Sequence, residues 1–418
     1  MTRHRIISGT ITLLVWATLV SVGVLPARAA VDDEIRLGMS AAFSGPSKGL
    51  GIELYRGSMA YFHEINNKGG IHGRKIVIKA YDDGYNPIPA IDNTIRLIEK
   101  DDVFLLFNYV GTPTVTRCLP LLKRHRDQAA MLFFPFTGAE PQRNPPYGEL
   151  VFNMRASYYQ ETTGLVDHFV TIGRKRIAVF YQIDAYGRNG WEGVRAALDK
   201  HQLKMTGEAT YRRGAPFDSS FKDQVNILRK TEPDAIVSVG SYAACAGFIR
   251  DARDAGWNVP IANVSFVGSE SMLALLQQVG KVKGVDYTQN LVNSQVVPSY
   301  HDQTLPAVGE YLDMTKRHKP LPPAELLKEA YLPQPHSFVS LEGFLNAKLL
   351  TGILEKMGPP FDRQRLRQAA ESMNDFDIGI GVNVSFGPNR HQGIDRVYYT
   401  VVQGGRFEPL QDWERWRK

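Results

Sequence analysis

Two spacings of apolar residues take turns along most of this chain. EIRLGMSAAF (34–43), KIVIKAYDD (75–83), VFLLFNY (103–109) and MLFFPF (131–136) are the short apolar runs of strands, with alternating faces in KIVIKAYDD. Between them, YRGSMAYFHEINNKGG ends on two glycines, and NPIPAIDNTIRLIEK carries proline in its first turn. PTVTRCLPLLKRHR reads as a third helix. Such alternation predicts a mostly parallel sheet covered by helices on both faces.

The rhythm restarts with a helix from about Tyr158 to Ile172, then strand RIAVFYQI and helix GRNGWEGVRAALDKH. MTGEATYRR, AIVSVG and PIANVSFVG are its further strands, with FKDQVNILRK and YAACAGFIRDARDAG as helices between them. Two units of similar order predict two α/β lobes rather than one large sheet. Beyond Gly284 the order loosens. Residues 301–336 read as a surface loop, SFVSLEGFLNAKLLTGILEKMG as a helix, and VYYTVVQGGRFEPL as a closing hairpin turning at Gly–Gly.

The N-terminus adds a location. MTRHR is basic, an apolar run follows, and Ala27 and Ala29 carry the small-residue spacing of a signal-peptidase site. The expectation is a cleavable signal peptide over 1–29, hence export to the periplasm; an uncleaved anchor is the alternative. Removing Arg3, Arg5 and Arg28 leaves 46 basic residues against 43 acidic ones, a net +3. That charge gives no argument for nucleic acid or a membrane surface. Cys118 and Cys245, the 2 cysteines, fall in different halves and read as free core thiols. The 10 His lack metal-ligand spacing, so neither a metal nor another cofactor is expected.

Ligands of open parallel sheets bind at the carboxyl ends of the strands. The loops there are AAFSGPSKGLG, NYVGTPT and PFTGA in the first unit, and QIDAYGRNG, GSYAA and VSFVGSES in the second. In NYVGTPT, Thr112 suits a helix N-cap with Pro113 after it, so the amides near Gly111, Thr112 and Thr114 can face an anion. An ordinary strand-to-helix turn fits that loop equally well. PFTGA repeats the pattern with Thr137 and Gly138, and favours the anion site. No phosphate loop, dinucleotide fingerprint, Gly-x-Ser-x-Gly elbow or zincin motif occurs, so catalysis is not expected. Phe43, Tyr109, Phe136, Tyr186, Tyr242 and Phe266 stand at or beside strand ends, and Tyr186 and Tyr242 are the aromatics expected to meet a ligand.

IRLGMSAAFSGP, INNKGGIHGRKIVIKAYDDGYNP, RIAVFYQIDAYGRNG and FIRDARDAGWNVP together resemble the periplasmic branched-chain amino-acid-binding proteins of ABC importers. The resemblance spans essentially the whole chain after the leader. It implies the type I periplasmic binding protein fold, two Rossmann-like lobes joined by three hinge crossovers that close on a ligand. The lobes are then expected at 30–155 plus about 284–384, and at 156–283 plus about 385–418. The implied role is non-catalytic delivery of a small carboxylate ligand to ABC permease subunits, by a monomer. A sensor feeding a chemoreceptor or kinase shares the fold, and an exported hydrolase is the alternative of another class.

Carried over by position, Gly111 and Thr112 fall where the family holds a carboxylate, with Gly111 standing at a family Ser. Thr137, Gly138 and Ala139 match the second carboxylate loop. Tyr186 and Tyr242 match cleft tyrosines, Leu50 stands at a cleft aromatic, and Tyr109 belongs to the same turn. Where amino-acid binders place an acid for the ligand ammonium, this chain has Phe266. Either Glu270 or Asp184 substitutes, or the ligand carries no ammonium; an aromatic or apolar organic acid is then expected. Tyr85 and Val110 occupy the places of the family's loop cysteines.

Overall fold

The structure, a computed structural model, describes residues 1–2 and 34–418; the expected apolar leader and its cleavage point lie outside the described residues. The first sheet contains β1 (Glu34–Ala41), β2 (Lys75–Asp82), β3 (Leu105–Phe107), β4 (Leu132–Phe133) and β5 (Val151–Phe152), in the order β2-β1-β3-β4-β5. Every pairing is parallel, with Leu37 beside Leu105 and Leu132 beside Val151. Helices α1 (Lys48–Asn67), α2 (Pro87–Glu99) and α3 (Thr112–Arg124) connect its strands.

The second sheet takes β6 (Ile177–Gln182), β7 (Gly207–Tyr211), β8 (Ala235–Val239), β9 (Ile261–Asn263) and β10 (Leu291–Gln295) as parallel strands. Helices α4 (Tyr158–Thr171), α5 (Ala185–Lys200), α6 (Lys222–Arg229), α7 (Tyr242–Asp254) and α8 (Ser269–Lys283) accompany it. All residues of β6 and β8 are buried, as a sheet covered on both faces requires.

After β10 the chain returns to the first lobe through α9 (Pro306–His318), α10 (Phe338–Met357) and α11 (Arg363–Glu371). α9 and α10 pack against α1. A small ladder of β11 (Phe376–Asp377) and β12 (Asn383–Val384) follows, and the antiparallel hairpin β13 (Tyr398–Gln403) and β14 (Arg406–Pro409) closes the second sheet's edge. Three passages therefore join the two sheets, as a type I periplasmic binding fold requires. The return expected near 284 comes later, because β10 pairs with β9 and the second sheet runs to Gln295.

Local chemistry explains the helix starts. Asn86 caps α2 by accepting from the Ile88 amide, and Ser157 with Gln160 forms a capping box on α4. α1 and α10 cross with their backbones nearly touching. A Cβ on Gly57 would lie 1.7 Å from the Ser340 carbonyl oxygen, and one on Gly343 would lie 2.2 Å from that of Leu54. Among the described residues, no helix is long and apolar enough to cross a membrane.

Candidate ligand-binding cleft

The two turns expected to hold a carboxylate are stitched to each other. The Phe136 amide donates to the Tyr109 carbonyl at 2.7 Å, and the Gly111 amide donates to the Phe136 carbonyl at 3.1 Å. α3 begins at Thr112 with Gly111 as its cap (φ 100°), so Thr112 is the first helical residue rather than the N-cap. The hydroxyls of Thr112 and Thr137 pair at 2.6 Å, and Thr137 Oγ1 also accepts from the Ala139 amide at 3.3 Å. Thr114 turns its hydroxyl back to the carbonyls of Val110 and Gly111. The Gly138 carbonyl accepts from the Tyr158 amide at 2.7 Å. Tyr109 faces away, its hydroxyl 3.1 Å from that of Thr94 in the α2–α3 layer. The Gly111 amide, on which a carboxylate was expected to rest, is thus engaged by protein.

Gly111 has a steric role as well. A Cβ there would lie 2.1 Å from Tyr85 Cε2. Asp83 sets this ring by accepting from the Tyr85 amide at 2.8 Å and from Ser40 Oγ at 2.8 Å. Burial pushes the Asp83 carboxyl up to about 7. Tyr85 thereby projects toward the second lobe, where its hydroxyl accepts from Gln182 Nε2 at 3.2 Å.

Phe266, on the turn after β9, stands at the centre of the facing walls. Its ring centroid lies 4.6 Å from Tyr186, 5.3 Å from Phe136 and 5.7 Å from Tyr85; Tyr158 adds a ring 5.1 Å from Tyr186. Such tilted pairs contribute about 0.5–1.5 kcal/mol each beyond area burial. Tyr242 accepts from the Gly49 amide at 3.1 Å, and Leu50 Cδ2 packs against Gly268 across the same seam. Leu50, Tyr186, Tyr242 and Phe266 are therefore brought together, and all are buried.

Both expected substitutes for the missing acid are already engaged by protein groups. Asp184 caps α5 through the Tyr186 amide at 3.0 Å, accepts from Gln182 Nε2 at 2.6 Å and pairs with Arg213 at 3.4 Å. Glu270 accepts from the Phe338 amide at 3.3 Å, and burial pushes its carboxyl up to about 8.

The residue the sequence reading missed is Arg155, on the first crossover and 1% exposed. Its guanidinium lies 4.8 Å over the Phe136 ring and 5.9 Å from that of Tyr158. Nη2 donates to Ser265 Oγ and stands 3.5 Å from Glu161; Nη1 stands 3.5 Å from Glu342. Neither Nε nor Nη1 has a hydrogen-bond partner. Glu161 accepts from the Ser265 amide at 2.8 Å, Ser265 Oγ at 3.0 Å and Ser294 Oγ at 2.6 Å. A lone arginine in the apolar crossover LVFNMRAS was the available signal.

Two α/β lobes with aromatic strand-end loops meeting at one seam match a known family model, "Periplasmic binding protein", over residues 34–406. The chain belongs to this family. This periplasmic binding protein is 25% identical over 392 residues to Leu/Ile/Val-binding protein homolog 7 of Brucella abortus, covering 88% of the chain and 89% of that relative. It is 26% identical to Leu/Ile/Val-binding protein homolog 3 of Brucella melitensis, over 53% of the chain and 59% of that protein's length. The crystal structure of a possible leucine/isoleucine/valine-binding protein from Rhodopirellula baltica SH 1 superposes with a TM-score of 0.81 at 32% identity, covering 94% of this chain and all of that one. These relatives are named as binding proteins.

Proposed function

We propose that this protein is the periplasmic solute-binding component of an ABC importer, and that it captures an aromatic organic acid between its lobes without turning it over. The observation that carries the ligand class is the ring cluster. Tyr85, Phe136, Tyr158, Tyr186 and Phe266 converge from both lobes, with Phe266 where an amino-acid binder needs an acid. Of the nearby carboxylates, Asp184 pairs with Arg213, and Glu161 and Glu342 share Arg155. A ligand ammonium buried against Phe266 would be unpaired, at a cost of several kcal/mol. The names of the relatives support transport, and closure supports a capture role, since contacts such as Tyr242 to Gly49 form only when the lobes meet.

Titration calorimetry of the mature protein against benzoate, phenylacetate and leucine tests this reading. The aromatic acids are expected to bind at least about tenfold more tightly than leucine, a difference of about 1.4 kcal/mol. Leucine binding as tightly as either acid would refute it.

A further inference from the structure

A buried guanidinium needs acceptors for its donors, because a charged donor removed from water without a partner is destabilising. In the turns expected to grip a carboxylate, four donors have partners within the protein: the Gly111 amide has Phe136, the Ala139 amide has Thr137, and the Thr112 and Thr137 hydroxyls have each other. Arg155 differs. Its Nε and Nη1 have no hydrogen-bond partner although the side chain is 1% exposed, and its guanidinium lies over Phe136 in the wall of the ring cluster.

The geometry points to Arg155 as the residue that receives the ligand's carboxylate, with Glu342 as the neighbouring acid that takes up a proton when the ligand binds. The assignment rests on the aromatic-acid reading above and replaces the α3 turn as the anchor. Two acids already flank Arg155, and they differ. Glu161 accepts three hydrogen bonds from Ser265 and Ser294. Glu342 meets Arg155 at 3.5 Å with no hydrogen bond between them, and burial pushes its carboxyl up to about 7. The charged groups acting on it are Arg155, Glu161 and Arg143. An incoming carboxylate adds a third negative charge around one guanidinium. The weakly held Glu342 relieves it by accepting one proton from solvent, so the ligand anion and the proton enter together.

Benzoate and benzamide, and phenylacetate and phenylacetamide, separate the carboxylate from the ring. In the wild type at pH 7.5, calorimetry in buffers of different ionisation enthalpy should show proton uptake with each acid and none with its amide. Glu342→Gln should abolish that uptake. Arg155→Lys, which keeps a cation between the two acids, should lose at least about tenfold in acid affinity while amide affinity changes little. Acid binding without proton uptake in the wild type overturns the assignment, whether or not the variants fold. So does an unchanged acid preference in Arg155→Lys, or one lost in Thr112→Val instead. A wild type that takes neither acid overturns the ligand class itself, a result distinct from acid binding that ignores Arg155.

Discussion

Replacing Gly111 with alanine should destabilise the protein through two separable terms. Its backbone, at φ 100° and ψ 144°, lies close to a region that side-chain-bearing residues rarely enter, a strain of about 1–3 kcal/mol. The added Cβ would also sit 2.1 Å from Tyr85 Cε2, well inside contact distance, so the ring must move. The Tyr85 backbone is held by Asp83 and its hydroxyl by Gln182, which makes that displacement a case of overpacking worth about 1–3 kcal/mol. Gly111→Ala should then cost about 2–6 kcal/mol in all, read from urea unfolding followed by tryptophan fluorescence. A double-mutant cycle divides the terms. Tyr85→Ala removes the obstacle but not the backbone strain, so the pair should cost about 1–3 kcal/mol less than the sum of the two single variants. Strict additivity would show that the ring and the glycine do not share their space, and the steric account of this turn would fail.

Tyr242→Phe removes the acceptor for the Gly49 amide, and should weaken ligand affinity by about 0.5–1.5 kcal/mol while leaving the unfolding midpoint of ligand-free protein nearly unchanged. Equal affinity in calorimetry would remove Tyr242 from the closure contacts. Glu270 has a folded-state carboxyl raised to about 8, so it favours the folded state fully below the ordinary carboxylate range, and that contribution is lost as pH rises toward 8. Glu270→Gln should flatten the decline in stability between pH 5 and pH 8; an unchanged slope in urea titrations would refute the burial argument. Cys118 and Cys245 are buried free thiols pushed up to about 12, and should resist a thiol reagent until the chain is unfolded. Labelling of either at the native-state rate of an exposed thiol would contradict their packing.

Periodicity carried the architecture because each buried strand is written locally. IAVFYQ and AIVSV are buried along their whole length, and their apolar runs announce it. The small errors have local causes too. Threonine is a good capping residue, yet Gly111 takes the cap because a glycine can hold its positive φ, and α3 starts at Thr112. Tyr109 stood at the expected strand end, but its hydroxyl reaches Thr94 on the far side of the sheet. β10 was hidden because LVNSQ is short and largely polar, with Asn293 and Gln295 buried and bonded to Ser269 at the start of α8. The cleft was legible as aromatic loops and illegible as charge. Arg155 acquires its meaning only from Glu161 and Glu342, which lie far apart in sequence and meet only in the folded chain.

The glycine contact between α1 and α10 has a mechanical consequence. Gly57 meets the Ser340 carbonyl, Gly343 meets that of Leu54, and Ser58 Oγ donates to the Gly343 carbonyl across the crossing, so the backbones are held in direct contact. The pair behaves as one beam. One end of α1 lies beside Tyr242 at the lobe seam, and a 20-residue helix carries that position about 30 Å away. A lobe rotation of about 10° would swing the far end by roughly 5 Å over that length. On the proposed closure around a ligand, occupancy of the cleft would displace the outer surface by that amount, a movement that the proposed membrane partner would read without touching the ligand.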